Sequence, residues 1–534
     1  MYKIKYLIVN KQILYKGNMF YRKELWGMNN SYWIETSVDR NYESLLSSVD
    51  CDCAVIGGGI AGLTTAYLLA KSNQRVGLVD ANRIGHGCTG RNTGKITPQH
   101  SVIYSKIKKK YGIERAKKYY QGNKEAVDFI EKIVRENGFS CEFKRTTSYL
   151  YATTDKGMRE LQDEYDVCEE IGIDCEFFNE LPIPIDIKGA IAFNNVAEFN
   201  PKMYCDCLGE LITKEGGRIY ENSPIIEVER GAKCTIKTRQ GKNIQCSNLI
   251  LASHYPFYDG ASFYFSRLKP TRTYLVAGVV KEGFVEGMYI NVEDPTRSIH
   301  YINGIGEHLL LIAGEKHIVG QGKDVDYYEI LKEFGRKEFG VKEYKYQWSA
   351  EDYTTPDELP YIGRLNENNP NIFLATGFNK WGMTNGTLAG RIISYLIING
   401  ESEYQETFEP SRLKGILTTE FFKFNAEVAY HYIKGKLTMG EVNAEIENGE
   451  SKVIFYDGHR YGAHRDEKGK LYIVDITCTH LGCELNWNEV EKSWDCPCHG
   501  SRFDYKGNIL EGPATEPLKQ WKDHEGNKVN PQLN

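Results

Sequence analysis

The run Cys53-Ala-Val-Ile-Gly-Gly-Gly-Ile-Ala-Gly62 decides how the N-terminal part of the chain folds. Its apolar start reads as a buried strand, and the glycines open a helical pattern through Leu63, Ala66, Tyr67 and Leu69 to Lys71. A second apolar run, Val76-Gly-Leu-Val79, ends at Asp80, so the order is strand, glycine turn, helix, strand, acid. Each part has a physical task in holding a dinucleotide. Gly57 permits the tight turn, Gly59 lets a pyrophosphate approach the backbone, and Gly62 lets the helix press on the strand. The helix N-terminus offers amide donors to phosphate, and Asp80 stands where a carboxylate accepts from ribose hydroxyls. A glycine fingerprint alone marks no more than a tight turn; the complete unit with its acid is specific.

The chain has 534 residues, 41% hydrophobic and 26% charged, with a net charge of -6. At about 150 residues per domain this is material for about three to four domains. The charge lacks the basic excess of a nucleic-acid binder, so nucleic acid is excluded as an expected partner. No apolar run approaches the roughly 18 residues that span a bilayer, the best being residues 6–9 and 392–398, so no membrane span is expected. No secretory cleavage pattern is present. Residues 1–27, rich in Lys, Tyr and Ile, form an uninformative N-terminal extension, and Met28 is an alternative start. Ten cysteines (51, 53, 88, 141, 168, 175, 205, 207, 234, 246) lie scattered, as reduced thiols of a cytoplasmic protein would. The last four form a constellation.

NAD and FAD share the first unit, so the rest of the chain must separate them. After Asp80 comes Gly87-Cys-Thr-Gly-Arg-Asn-Thr-Gly-Lys-Ile-Thr-Pro-Gln-His100, a loop suited to close contact with a large flat cofactor, with Thr93 and Gly94 at its centre. Near residue 371, Asn371-Ile-Phe-Leu-Ala-Thr-Gly-Phe378 reads as a strand entering a loop, followed by Gly382-Met-Thr-Asn-Gly-Thr387 and a helix to Ile398. On these segments the chain resembles the FAD-dependent oxidoreductases of the D-amino-acid oxidase and glycine oxidase type. The resemblance spans roughly residues 50–400 and implies FAD as cofactor. It places Gly377, Gly382, Met383 and Thr384 along the flavin, where a helix N-terminus would stabilise the negative charge of reduction. It also places Ile225, in Ser223-Pro-Ile225, on the adenine side, and Ala252, in Leu249-Ile-Leu-Ala-Ser253, at the strand that rejoins the nucleotide-binding part.

Residues 140–355 turn strand-rich, as in Thr271-Arg-Thr-Tyr-Leu-Val-Ala277 and His308-Leu-Leu-Leu-Ile-Ala313. In the resembled family a sheet here roofs the flavin and carries the substrate contacts. Candidate contacts are Arg272, Tyr274, Arg297, His300, Tyr301, Lys380 and Trp381; Lys380, Trp381, His300 and Tyr274 are the expected catalytic residues. An Arg and Tyr pair would clamp a carboxylate bidentately, but a strand Arg or Tyr is more often solvated and a lone His more often structural. No residue here identifies the substrate.

Residues 401–440 read as a connector that becomes helical around Phe421, Phe422, Phe424 and Val428, and from about Glu441 short strands begin. The ligand-type residues are Cys478, His480, Cys496 and His499. Two cysteines and two histidines can hold zinc tetrahedrally. Against zinc, both elements lie in loops between strands, and each loop carries an extra cysteine, Cys483 and Cys498. Leu481-Gly482, Gly500-Ser501 and Gly512-Pro-Ala514 make this region resemble the Rieske [2Fe–2S] family, in which two cysteines bind one iron and two histidines the other. The resemblance implies a Cys483–Cys498 disulfide and a Ser501 donor to the cluster. The family's tyrosine donor to a cysteine sulfur is replaced by Phe503, with Tyr505 two residues on. One lost donor implies a mid-range potential. A cytochrome bc subunit would need a membrane anchor, and a Rieske oxygenase a second iron site after the cluster, where His524 is the sole remaining histidine. His459-x4-His464 is expected at the surface.

The expected fold is an α/β Rossmann-like FAD body over 28–400 with an inserted β-rich substrate domain, followed by a small all-β Rieske domain over 441–534. The nucleotide-binding parts fall at about 50–140, 200–255 and 355–400, and the substrate parts at about 140–200 and 255–355. The function expected is a dehydrogenase that oxidises a small amine, amino acid or related reductant by hydride transfer to FAD. Electrons then leave singly through the cluster to an external acceptor. Two rivals stand beside it: an oxygen-using oxidase with a structural or regulatory cluster, and a non-catalytic electron carrier or redox sensor.

Overall fold

A computed structural model describes residues 31–521 apart from 39, 282–283, 285, 305–306, 323–324, 413–417, 438–444 and 457. The extension 1–27, Met28, the start of the last domain at Glu441 and His524 lie outside the described residues.

The apolar run of the opening stretch forms the strand Val49–Ile56, buried along its second half, because a parallel strand covered on both faces must be apolar throughout. It pairs in parallel with Asn243–Leu251 on one side and Val76–Val79 on the other. Asn369–Thr376 extends the sheet in parallel beyond Asn243–Leu251, and Tyr361–Asn366 closes that edge antiparallel. Arg218–Tyr220 closes the other edge. A hairpin, Ile225–Glu229 and Cys234–Thr238, pairs onto Asn243–Leu251. Helices Ile60–Lys71 and Gly382–Ile398 cross closely, and glycines allow it: a Cβ on Gly390 would stand 2.7 Å from Thr64 Cβ.

A second sheet of nine strands, drawn from Lys95–Ile96, from residues 144–198 and from residues 269–354, lies beside the first. Its long members Lys269–Val280, Glu307–Ile318 and Tyr344–Thr354 run antiparallel. Ser298–Gly304 links them to Met288–Asn291.

The helix Thr419–Leu437 leads to the last domain, which has two small sheets. One holds Ser451–Tyr456, His459–Arg465 and Leu471–Asp475; the other holds Asn486–Asn488, Ser493–Asp495, Arg502–Asp504 and Ile509–Glu511. Its core is Trp494, Phe503, Leu485, Ile476 and the four C-terminal cysteines. The expectation that His464 lies at the surface is overturned. It occupies an inward position of its strand, is buried, bonds Ser451 Oγ through Nδ1 at 2.7 Å, and stacks on Trp487. Among the described residues no helix is long and apolar enough to cross a membrane.

Candidate active site

A cavity of about 490 Å³ is bounded by the ends of both large sheets and by the C-terminal domain. On one wall, Gly57, Gly58 and Gly59 lead into the N-terminus of Ile60–Lys71. Only glycine fits here: Gly57 has φ +109°, and a Cβ on Gly62 would stand 1.9 Å from the Gly57 carbonyl. Asp80 accepts the amides of Gly58 and Asn82, each at 2.7 Å, which oppose the upward push that burial gives its pKa.

Of the residues the sequence assigns to the cofactor, Gly57, Gly59, Asp80, Thr93, Ile225, Ala252, Gly382, Met383 and Thr384 line the cavity. Gly62, Gly94 and Gly377 are not among the lining residues. Gly62 lies under Gly57, Gly94 takes φ +70° against the Phe199 carbonyl, and Gly377 takes φ +69° against Thr355. Arg91, in the threonine-rich loop, lines the cavity with a buried Nη1 that has no protein partner. The glycine cradle and helix N-terminus, with one guanidinium nitrogen of the cavity wall left without a protein partner, fit an anionic dinucleotide.

Lys380 and Trp381 also line the cavity. Lys380 and Asn379 both sit in the left-handed region, at φ +73° and +53°. The Lys380 amide donates to the Asp352 carboxylate and its Nζ to Thr273 Oγ1 at 3.1 Å. Burial, with help from Lys316 and against the pull of Asp352 and Asp294, lowers Lys380 to about 8. Trp381 stacks on His100 with centroids 4.7 Å apart. His100 bonds Tyr119 Oη through Nδ1 at 2.7 Å and the Thr97 carbonyl through Nε2 at 2.8 Å, and burial lowers it to about 3, so the ring is neutral.

The other expected catalytic residues lie elsewhere. His300 is buried, with Nδ1 2.8 Å from the Thr93 carbonyl and Nε2 2.8 Å from Glu198, so it fastens the cofactor loop to the strand Gly189–Glu198. Tyr274 is buried against Tyr327 and Tyr328 and reaches His317 Nε2 at 3.1 Å. Arg297 pairs with Glu315, and Tyr301 reaches His308 Nδ1 at 2.9 Å. Lys95, not singled out from sequence, lines the cavity. Its Nζ donates to Ser298 Oγ at 2.7 Å, and burial lowers it to about 7.

The two ligand loops of the last domain are built alike. The Cys478 amide donates to Cys483 O and the Cys496 amide to Ser501 O, both at 2.8 Å. The Gly482 and Gly500 amides return to Cys478 O and Cys496 O, with both glycines at positive φ. Cys478 and Cys496 are free and buried, and each thiol is the main influence on the other's pKa, lowering Cys478 and raising Cys496. The His480 and His499 rings stand 5.1 Å apart. Both Nδ1 atoms are buried and have no partner, and burial lowers the two rings to about 4 and about 3. Two neutral imidazoles with orphaned buried nitrogens beside two free cysteines fit the donor set of a metal centre. Cys483 and Cys498 form a disulfide that ties the loops together. Ser501 Oγ accepts the Ala514 amide at 3.0 Å. Phe503 is fully buried in the domain core. Tyr505 packs on His464 and Tyr472, on the outer sheet.

The cavity and the ligand loops adjoin. Tyr255 lines the cavity and meets the His480 ring edge-on at 6.0 Å. Tyr353 also lines it, donates to Glu351 at 2.7 Å, and has its Oη 3.5 Å from the His499 carbonyl. Phe265 meets the His499 ring at 5.7 Å. Behind them lies a buried ionic cluster. Arg272 of the body pairs with Glu511 and lies 3.5 Å from Glu351 and 3.6 Å from Glu491. Arg502 pairs with Asp495 at 2.9 Å, Glu511 at 3.0 Å and Glu491 at 3.3 Å.

Comparison with known proteins identifies the families of the two parts. Residues 52–396 match the FAD dependent oxidoreductase family and residues 439–522 the Rieske [2Fe-2S] domain. A protein of Bacillus subtilis (strain 168) named for a Rieske 2Fe-2S iron-sulfur centre, YhfW, is 40% identical over 92% of this chain and 97% of its own. Gamma-glutamylputrescine oxidoreductase of Escherichia coli (strain K12) is 25% identical over 69% of this chain and 88% of its own. The crystal structure of glycine oxidase from Geobacillus kaustophilus, 17% identical, superposes with a TM-score of 0.58 over 68% of this chain and 99% of its own, a likeness of fold.

Proposed function

The chain belongs to the FAD-dependent oxidoreductase family and carries a Rieske [2Fe–2S] domain, and from that premise we propose a dehydrogenase for a small amine, amino acid or related compound. In this reading Cys478 and Cys496 hold one iron and His480 and His499 the other, while Gly57, Gly59, Asp80, Thr93, Ile225, Ala252, Gly382, Met383 and Thr384 hold FAD. Bound there, FAD would supply a hydride acceptor for the substrate and the cluster a one-electron acceptor. Two one-electron acceptors are therefore reduced for each substrate oxidised.

The observation that carries the proposal is Tyr255, which belongs at once to the cavity wall and to the surroundings of His480. A cluster whose histidine side packs against the flavin cavity is placed to receive electrons from it. The chain's own residues supply the rest. Lys380, lowered to about 8 in the cavity wall, holds or accepts a proton near neutral pH. Trp381, stacked on neutral His100, gives the cavity a rigid aromatic face.

Anaerobic mixing with a panel of amines and amino acids tests this. The dehydrogenase bleaches both flavin and cluster. Fast reoxidation by air with peroxide release would favour an oxidase, and no response to any donor would favour a carrier.

A further inference from the structure

Residues 509–515 belong to the iron–sulfur domain, yet all of them line the same cavity as Gly57, Asp80 and Thr384 of the oxidoreductase body. We propose that this segment is an FAD-binding wall contributed by the Rieske domain, and that through it FAD occupancy and the cluster are thermodynamically linked.

The segment is fixed to the body at three points. Arg239, itself a lining residue, donates to the Thr515 carbonyl. Tyr353 has its Oη 3.4 Å from the Gly512 carbonyl. Glu511 is held between Arg272 and Arg502. A wall fastened in this way is part of the folded body and not a loose flap over its mouth.

Its other side is the cluster loop. Ala514 lines the cavity, and its amide donates to Ser501 Oγ at 3.0 Å. Ser501 closes the ligand loop in turn, its carbonyl accepting the Cys496 amide at 2.8 Å. Ile509 packs against the core that contains Cys478, Cys496 and Trp494. The barrier between the cavity and a cysteine ligand is thus a single stretch of chain. A ligand pressed against Ala514 bears on its hydrogen bond to Ser501 in the cysteine loop, and hydrogen bonds around the ligand loops tune a cluster's potential. Linkage is reciprocal: if FAD changes the free energy of cluster reduction, cluster reduction changes FAD affinity by the same factor. The inference rests on the two cofactors of the family and not on the substrate or electron route proposed above.

The test uses the full chain, cluster-loaded and stripped of FAD. FAD is titrated by quenching of its fluorescence, with the EPR spectrum of the reduced cluster as the check that the small domain is intact. Leu510→Glu and Thr515→Glu place a carboxylate in the wall against an anionic ligand, and Tyr456→Glu alters an exposed edge of the same domain away from the cavity. The two wall variants should weaken FAD binding by about tenfold or more through like-charge repulsion, and Tyr456→Glu should not. Wall variants that keep the cluster spectrum and bind FAD within about twofold of wild type would overturn the assignment. The linkage is read on wild type alone, so it does not depend on the variants folding. FAD addition should shift the cluster midpoint potential, and an unchanged potential would overturn it. Either result is independent of whether any substrate reduces the flavin.

Discussion

Removing the Arg272 guanidinium should loosen the junction between the two domains more than any single apolar truncation there. Arg272 is fully buried and faces Glu511, Glu351 and Glu491, while Arg502 faces Asp495, Glu511 and Glu491. The wild-type cluster sets two cations among four carboxyls, and Arg272→Met keeps the packing volume but leaves one cation. Breaking a buried pair this way costs about 3–5 kcal/mol, because the remaining charge stays desolvated. At a denaturant slope of about 3 kcal/mol/M, the urea midpoint for loss of the cluster's visible absorption should fall by about 1–1.7 M. The effect must depend on pH with a definite sign. Arg272 and Arg502 hold Glu511 well below its ordinary range against the push of burial, so Glu511 contributes stability above the unfolded carboxylate pKa of about 4.5, and that contribution is lost as pH falls. The gap between wild type and Arg272→Met should therefore narrow on acidification. A midpoint change below about 0.3 M, or a gap that widens toward low pH, would refute this account of the junction.

The remaining predictions concern the two centres. Gly62→Ala should abolish FAD retention, measured by the flavin-to-protein absorbance ratio, since the added Cβ would stand 1.9 Å from the Gly57 carbonyl. If neutral Lys380 accepts the substrate proton, kcat/KM should rise with pH through about 8, and Lys380→Met should remove that limb while leaving cluster spectra unchanged. Phe503→Tyr should raise the cluster potential in a redox titration by offering a donor beside the ligand loops. Opening the Cys483–Cys498 disulfide as the Cys483→Ser, Cys498→Ser double variant frees a loop of sequence separation 15. By chain entropy that costs about 3 kcal/mol, and the cluster should bleach at lower urea.

What the sequence revealed was local. The strand, glycine turn and helix around Gly57 to Gly62 are decided within a few residues, because φ and close approach there exclude a side chain. The two loops that carry Cys478, His480, Cys496 and His499 are local for the same reason, each closing on its own backbone bonds. Tyr255 and Tyr353 carry no such signal, and Gly512-Pro-Ala514, within 509–515, points to the Rieske likeness but not to the cavity. Their place on one cavity wall comes from packing between elements far apart in sequence, and nothing in a lone tyrosine or an Ile-Leu-Glu strand announces a partner so remote. Strand position also misled. Tyr274 and His300 sit in the sheet that roofs the cavity, but their side chains go to an aromatic core and to the Thr93 carbonyl. His464 is expected outside because it precedes the cluster and lies in a hairpin region, and the pairing of three short strands turns it inward.

The central claim, that electrons pass from the flavin to the cluster within one chain, is tested most directly by reducing the flavin anaerobically with a light pulse in the presence of a sacrificial tertiary-amine electron donor. The cluster's EPR signal and visible bleaching are then followed at several protein concentrations. The account predicts cluster reduction that tracks flavin reoxidation at a rate independent of concentration. A cluster that stays oxidised beside reduced flavin, or a rate that scales with protein concentration, would contradict it.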